Sequence, residues 1–191
     1  MLKKQLKADA GRAKKRIIGI DPGSRILGYA AIDVPVQGVA MISGIQLLEV
    51  GVLRAPPIEV HSMRIGMLHN AAAELFERVE PVECVIERAF TGINQLSALR
   101  LGEARGAIIA AAVAMGATIR EIAPAKAKKV VTGKGNATKE QVAMALEALL
   151  GFSRGAMPLD ATDALAIAVA HALNPSVLQD DWEDAPKSRI S

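Results

Sequence analysis

The chain has 191 residues, 51% of them apolar and only 3% aromatic, a composition that favours one folded domain with an aliphatic core over a disordered chain. The net charge is +3, and the basic residues are concentrated at 1–16 and 120–139. These clusters could bind a polyanion such as nucleic acid, or they could be solvated charges without a partner. The single cysteine, Cys84, excludes an internal disulfide, and no apolar run approaches the ~20 residues of a membrane span, so we expect a cytoplasmic protein without a membrane segment.

Three strands are predicted in the first part of the chain. Residues 1–15 are expected to form a flexible basic arm, with order beginning at Arg16. The β-branched run 17–20 predicts the first strand, and the turn Asp21-Pro22-Gly23-Ser24 ends it. Two further runs, at 27–34 and 46–54, predict strands that complete an antiparallel meander.

Helices and strands alternate in the rest of the chain. Apolar residues that recur every four positions predict a helix over 59–79, whose apolar face comprises Met63, Met67, Ala71, Leu75 and Val79 with Leu68, Ala72 and Phe76 beside them. Two further strands are predicted at 82–87 and 117–122, and helices are predicted at 94–115, 124–131 and 160–173. Thr138 and Gln141 match a capping box, which predicts another helix that runs from there to Leu150. This order predicts an α/β domain over 16–174, with a mixed five-stranded sheet, helices on both faces, and a flexible acidic tail at 175–191.

Four carboxylates stand at positions that suit a catalytic site. Asp21 and Glu87 end predicted strands, and Asp160 and Asp163 share one face at the start of the last helix. Carboxylates that converge without a His or Cys partner favour Mg²⁺ or Mn²⁺. Two such ions can activate a water and stabilise the leaving oxygen of a phosphodiester.

Each acid also has a purely structural interpretation. Asp21 could be a turn residue, Asp160 a helix N-cap, Asp163 a charge at the positive end of a helix dipole, and Glu87 an exposed strand end. The catalytic interpretation requires that all four converge, which their spacing alone does not show. The turn from Asp21 through Gly23 to Gly28 also occurs in actin-like ATP-binding folds, so that class stays open as an alternative.

Lysines and one phenylalanine lie near these acids in the sequence. Lys128 and Lys129 lie on a predicted helix, and Lys134 and Lys139 flank a Gly-rich loop. These lysines could neutralise phosphates, or they could form a solvated surface. Phe90 follows Glu87 by three residues and could stack on an unpaired base or pack in the core.

Five segments, in order, resemble the RuvC-type Holliday junction resolvases. They are 18–24 with Gly28 and Tyr29, 86–90, 97–106, 128–142 and 160–168. The resemblance implies an RNase H-like fold and a site for two divalent ions, Mg²⁺ or Mn²⁺, held by Asp21, Glu87, Asp160 and Asp163 with Lys139 beside the phosphate. It implies a homodimer that cuts opposed strands of a four-way DNA junction symmetrically, with a branch-migration motor as the usual partner. The expected DNA contacts are Phe90, Lys128, Lys134, Lys139 and Arg88.

Three other functions were weighed against junction resolution. A broader branched-DNA nuclease would use the same acids on forks and flaps. A junction-binding protein that does not cut would gain nothing from four converging negative charges near DNA. An actin-like ATPase would need a second phosphate loop and an adenosine pocket, and neither is found in the sequence. The arm 1–15 and the tail 175–191 depart from the family's pattern.

Overall fold

Five strands form one mixed sheet at the centre of the fold. A computed structural model of the protein describes residues 14–36, 44–55, 60–88, 94–152, 155 and 157–174. The strands are β1 (Lys14–Asp21), β2 (Ile26–Pro35), β3 (Gln46–Arg54), β4 (Glu83–Glu87) and β5 (Thr118–Ile122). Their order is β3-β2-β1-β4-β5, with antiparallel pairing among β1 to β3 and parallel pairing of β4 with β1 and β5. The predicted meander and mixed sheet are therefore confirmed.

Five helices in the described ranges cover the two faces of this sheet. They are α1 (His61–Val79), α2 (Gln95–Ala114), α3 (Pro124–Thr132), α4 (Lys139–Leu150) and α5 (Leu159–Leu173). The core divides accordingly, because successive residues of a strand point to opposite faces. Ile17 packs in a cluster with residues of α3, α4 and α5, whereas Ile18 packs with residues of α1 and α2.

The buried face of α1 agrees with most of the predicted apolar face. Its buried residues are Arg64, Leu68, Ala72, Leu75, Phe76 and Val79, and all but Arg64 belong to that face. Met63 and Met67 are instead 57% and 40% exposed, so the prediction is wrong for these two methionines. Arg64 is buried near them and hydrogen-bonds to His61.

The two ends of the described chain bear on the predicted arm and tail. β1 begins at Lys14, and Lys15 forms an ion pair with Glu83 at 3.0 Å, so the prediction that order begins at Arg16 is wrong by two residues. Residues 1–13 of the predicted arm and the predicted tail 175–191 lie outside the described residues.

Two further sequence predictions have clear outcomes. The capping box is confirmed, because the backbone N–H of Gln141 donates to the Thr138 hydroxyl at 3.3 Å and the backbone N–H of Thr138 donates to Oε1 of Gln141 at 3.0 Å. Cys84 is buried, and burial raises the pKa of its thiol to about 12. Within the described ranges, every helix falls short of the length and apolarity that crossing a membrane requires.

Candidate active site

Two carboxylates leave the sheet side by side at the ends of neighbouring strands. Asp21 is the last residue of β1 and Glu87 is the last residue of β4. The two strands are parallel, with Ile20 beside Ile86, so both acids emerge at the same edge. The buried runs before them fix their positions, because Ile20 and Ile86 are fully enclosed in the core.

The start of α5 brings two more carboxylates to this edge. Asp160 lies in the first turn and Asp163 three residues further along the helix. The N-cap of the helix is Pro158, so the interpretation of Asp160 as an N-cap is wrong. A side chain on Gly28 would collide with the carbonyl oxygen of Asp160, and one on Gly19 would collide with that of Ala164. The two glycines therefore allow α5 to lie directly against β1 and β2.

Gly19 was not singled out in the sequence, although its position carried a signal. A glycine inside a predicted strand often marks a close approach by another backbone. Here that backbone belongs to α5, the helix that carries half of the candidate acids.

Three of the four predicted acids form one compact cluster. Carboxylate oxygens of Asp21, Asp160 and Asp163 all lie within 4.8 Å of one another. Glu87 is not part of that group, although Asp21 and Asp163 both act on its pKa through their charges. The structure thus brings three acids together, with the fourth beside them.

Burial and mutual repulsion raise the pKa values of the two strand-end acids. The pKa of Asp21 rises to about 6, chiefly because the carboxyl is buried and secondly because of the negative charge of Asp163, despite the opposing charge of Lys139. The pKa of Glu87 rises to about 7 for the same reasons, chiefly burial and secondly the negative charge of Asp21. Acids held in this way favour a cation beside them.

Lys139 supplies a positive charge at the cluster. It is the first residue of α4, directly after the Thr138 cap that fixes the start of this helix. Its Nζ lies 2.6 Å from Oδ2 of Asp163 and 3.7 Å from Oδ1 of Asp160. The predicted proximity of Lys139 to the acids is therefore present.

The other predicted DNA contacts are placed less uniformly. Lys128 of α3 faces the site closely enough to lower the pKa of Glu87 by its charge. Lys134 lines a groove between α3 and α4, and no described contact joins it to the acids. The Arg88 side chain lies 3.9 Å from Glu121. Phe90 lies outside the described residues.

Arg105 is a residue of the site that sequence reasoning did not assign a role. From α2 its Nε donates a hydrogen bond to the backbone carbonyl of Glu87 at 3.2 Å, and a terminal guanidinium nitrogen lies 2.7 Å from Glu121. This arginine joins the end of β4 to α2 and to β5. Its contacts cross 16 or more positions, so spacing along the chain carried no signal for them.

The donor set fits hard divalent cations. Asp21, Asp160 and Asp163 offer carboxylate oxygens, with no His or Cys in the cluster, and such ligands suit Mg²⁺ and Mn²⁺. The raised pKa values of Asp21 and Glu87 point the same way, because a bound cation would relieve the repulsion that causes part of these shifts.

Comparison with known proteins gives one consistent family. The family described as crossover junction endodeoxyribonuclease RuvC matches the chain over residues 17–171. A relative of that name from Dichelobacter nodosus is 43% identical over 157 residues, which cover 82% of this chain and 85% of the relative. One from Chlorobium phaeovibrioides is 38% identical, with 82% and 80% covered.

Solved structures agree with the sequence relatives. Thermus thermophilus RuvC in complex with a Holliday junction substrate has a TM-score of 0.73 at 31% identity, covering 83% of this chain and 93% of that one. The yeast mitochondrial resolvase Ydc2 has a TM-score of 0.62 at 12% identity, covering 93% and 88%, and shows likeness of fold alone. The predicted RNase H-like fold is confirmed, since the RuvC structures have it.

Proposed function

The chain belongs to the RuvC family of crossover junction endodeoxyribonucleases, and from this premise we propose that it resolves four-way DNA junctions by paired symmetric nicks. One observation carries the proposal: the oxygens of Asp21, Asp160 and Asp163 converge within 4.8 Å at the edge where Glu87 also emerges. A relative with the same fold has been solved with a Holliday junction bound.

Two divalent ions, Mg²⁺ or Mn²⁺, are proposed for the acidic cluster. Asp21, Asp160 and Asp163 would hold the ions through their carboxylate oxygens, with Glu87 beside them as a further ligand. Ions bound there would activate the attacking water and stabilise the leaving oxygen. The rigid strand ends and the glycine-packed α5 would hold the carboxylates in place without the site having to reorganise.

Lys139 is proposed to stabilise negative charge on the scissile phosphate. Its side chain is 45% exposed and its ammonium group contacts Asp163, so a phosphodiester that reached the acidic cluster from solvent would meet its charge. Lys128 is proposed to act beside it, because its charge reaches Glu87. Lys134, Arg88 and Phe90 are proposed as further DNA contacts, Lys134 and Arg88 for the phosphate backbone and Phe90 for bases near the cut.

Assembly and location follow from the family rather than from this chain's own contacts. We propose a homodimer, because two opposed strands of one junction require two sites, and a branch-migration motor as partner. The strands and helices from Lys14 to Leu173 would form the nuclease domain between the basic arm and the acidic tail. A cytoplasmic location is proposed because the buried free thiol of Cys84 suits a reducing compartment.

The test is cleavage of a synthetic four-way junction in Mg²⁺, beside linear duplex, a replication fork and a Y-structure. Paired symmetric nicks on the junction alone support the proposal. Cutting of forks and Y-structures at comparable rates would show a broader branched-DNA nuclease instead. Tight junction binding without cutting, in Mg²⁺ and in Mn²⁺, would show a binding protein and contradict the enzyme.

A further inference from the structure

A groove of about 400 Å³ lies between α3 and α4, on the outer side of these helices. Its floor is apolar and includes the buried Val131 and Ala137. Its α4 wall carries Met144, Ala145 and Ala148. Met144 is 68% exposed, which is the largest exposed fraction among the large apolar side chains described. The groove is thus an apolar depression open to solvent.

The same helices already use their other faces in the core. Val142 and Leu146 of α4 and Ala127 of α3 pack with α5 in the core cluster. Met144 and Ala148 are one turn apart on the outward face of α4, where nothing in the described chain covers them. An exposed apolar patch with polar surroundings is typical of an interaction site.

One lysine stands at the groove, within a basic stretch of the chain. Residues 124–139 contain five lysines and no acidic residue. One of them, Lys134, lines the groove directly, beside the polar side chains of Thr132 and Gln141. The chemistry that fits this surface is therefore a large apolar side chain flanked by carboxylates.

The chain itself contains such a segment. Trp182, its only tryptophan, stands between Asp180 and Asp181 on one side and Glu183 and Asp184 on the other. We propose that the groove binds this acidic segment of the same chain, with the Trp182 indole against the Met144 wall and the carboxylates beside the lysines.

The length of the chain allows this contact. The segment is joined to Asn174, which ends α5, and α5 packs against both α3 and α4. The 15 residues of α5 span about 22 Å at 1.5 Å per residue. The stretch 175–182 can span about 26 Å when extended, so the indole can reach along the whole of α5. Tethering also favours the chain's own segment over a separate partner, because short linkers give effective concentrations on the order of mM.

Docking of the acidic segment would regulate DNA binding by the basic surface, an inference that rests on the proposed function. Lys134, which lines the groove, is one of the lysines proposed to contact junction DNA. Carboxylates of the segment beside Lys134 would compete with phosphates for its charge. Junction DNA should therefore displace the segment, and the competition should weaken as salt screens both interactions.

The single tryptophan makes the docking directly measurable in the full-length protein. Docked Trp182 should emit at a shorter wavelength than a solvated indole and resist quenching by acrylamide. Met144→Glu should shift the emission to longer wavelength and increase quenching, whereas Met63→Glu, on another exposed methionine, in α1, should change neither. Circular dichroism checks that both variants are folded. Solvent-like emission in the unmodified chain, or no response to Met144→Glu, overturns the proposal. A shift that disappears on dilution overturns docking within one chain and assigns the groove to a second copy's segment.

A DNA titration then tests the competition separately. Junction DNA should shift Trp182 to longer wavelength, and Trp182→Ala should lower the apparent Kd for the junction. If the segment occupies the groove nine-tenths of the time, the gain is about tenfold at low salt. An unchanged Kd overturns the competition. If the protein bound no junction at all, the proposed function would fail while the emission shift caused by Met144→Glu would still stand.

Discussion

Replacement of Glu83 by Gln should destabilise the protein in a manner that depends on pH. Oε2 of Glu83 accepts hydrogen bonds from Nε2 of His171 at 2.8 Å and from Nζ of Lys15 at 3.0 Å. Burial alone would raise the pKa of Glu83, but these two partners outweigh it and lower the pKa to about 2. The charged carboxylate therefore stabilises the folded state.

The size of this effect follows from the shift. The pKa falls from 4.5 to about 2, and each unit corresponds to about 1.4 kcal/mol, so the ionised side chain contributes about 3 kcal/mol. A folded-state pKa below the unfolded value means that this stabilisation is complete above pH 4.5 and is lost as pH falls toward 2. Glu83→Gln should accordingly lower the Tm by about 6–12 °C at pH 7.

Thermal unfolding at pH 7, 5 and 3 measures this directly. The Tm difference between wild type and Glu83→Gln should be greatest at pH 7 and should shrink markedly by pH 3. Glu77→Gln, which changes an exposed carboxylate of α1, is the matched control and should shift the Tm little at any pH. An equal Tm loss at pH 7 and pH 3 would refute the reasoning, because the loss would then come from shape rather than charge.

Three further predictions concern the site itself. Lys139→Ala should reduce the cleavage rate of a four-way junction by about 10²–10³-fold in single-turnover assays while the junction Kd changes much less, since its ammonium group is placed to stabilise charge formed during cleavage. Mg²⁺ affinity should fall as pH drops from 7 to below 6, because Asp21 and Glu87, with pKa values of about 6 and 7, must lose their protons to bind a cation. Calorimetry in buffers of different ionisation enthalpy should show the release of these protons when Mg²⁺ binds. Gly28→Ala should abolish cleavage by pushing α5 off the sheet, whereas Gly66→Ala, which meets no atom within 4 Å, should keep full activity.

The sheet was largely predictable from the sequence because its signals are local. β3 has the predicted limits, since a short apolar run is bounded on both sides by residues that break strands. The limits of α1 were also close, and its buried face was predicted except at its N-terminal end. There Met63 and Met67 continue the apolar spacing, and only tertiary packing decides that they are exposed and that Arg64 is buried.

The site was predictable as a set of acids but not as an arrangement. The positions of Asp21 and Glu87 at strand ends followed from the pattern, whereas their convergence with α5 depends on the missing side chains of Gly19 and Gly28. The contact between His171 and Glu83 joins residues 88 positions apart, and no spacing rule predicts it.

Cleavage by Asp21→Asn tests the central claim most directly, because this change removes the charge at the middle of the cluster and alters almost nothing in shape. Asp21→Asn should bind a four-way junction as tightly as the wild type and cut neither strand in Mg²⁺, while Glu77→Gln should cut both normally. Cleavage by Asp21→Asn at the wild-type rate would contradict the assignment of this cluster as the catalytic centre.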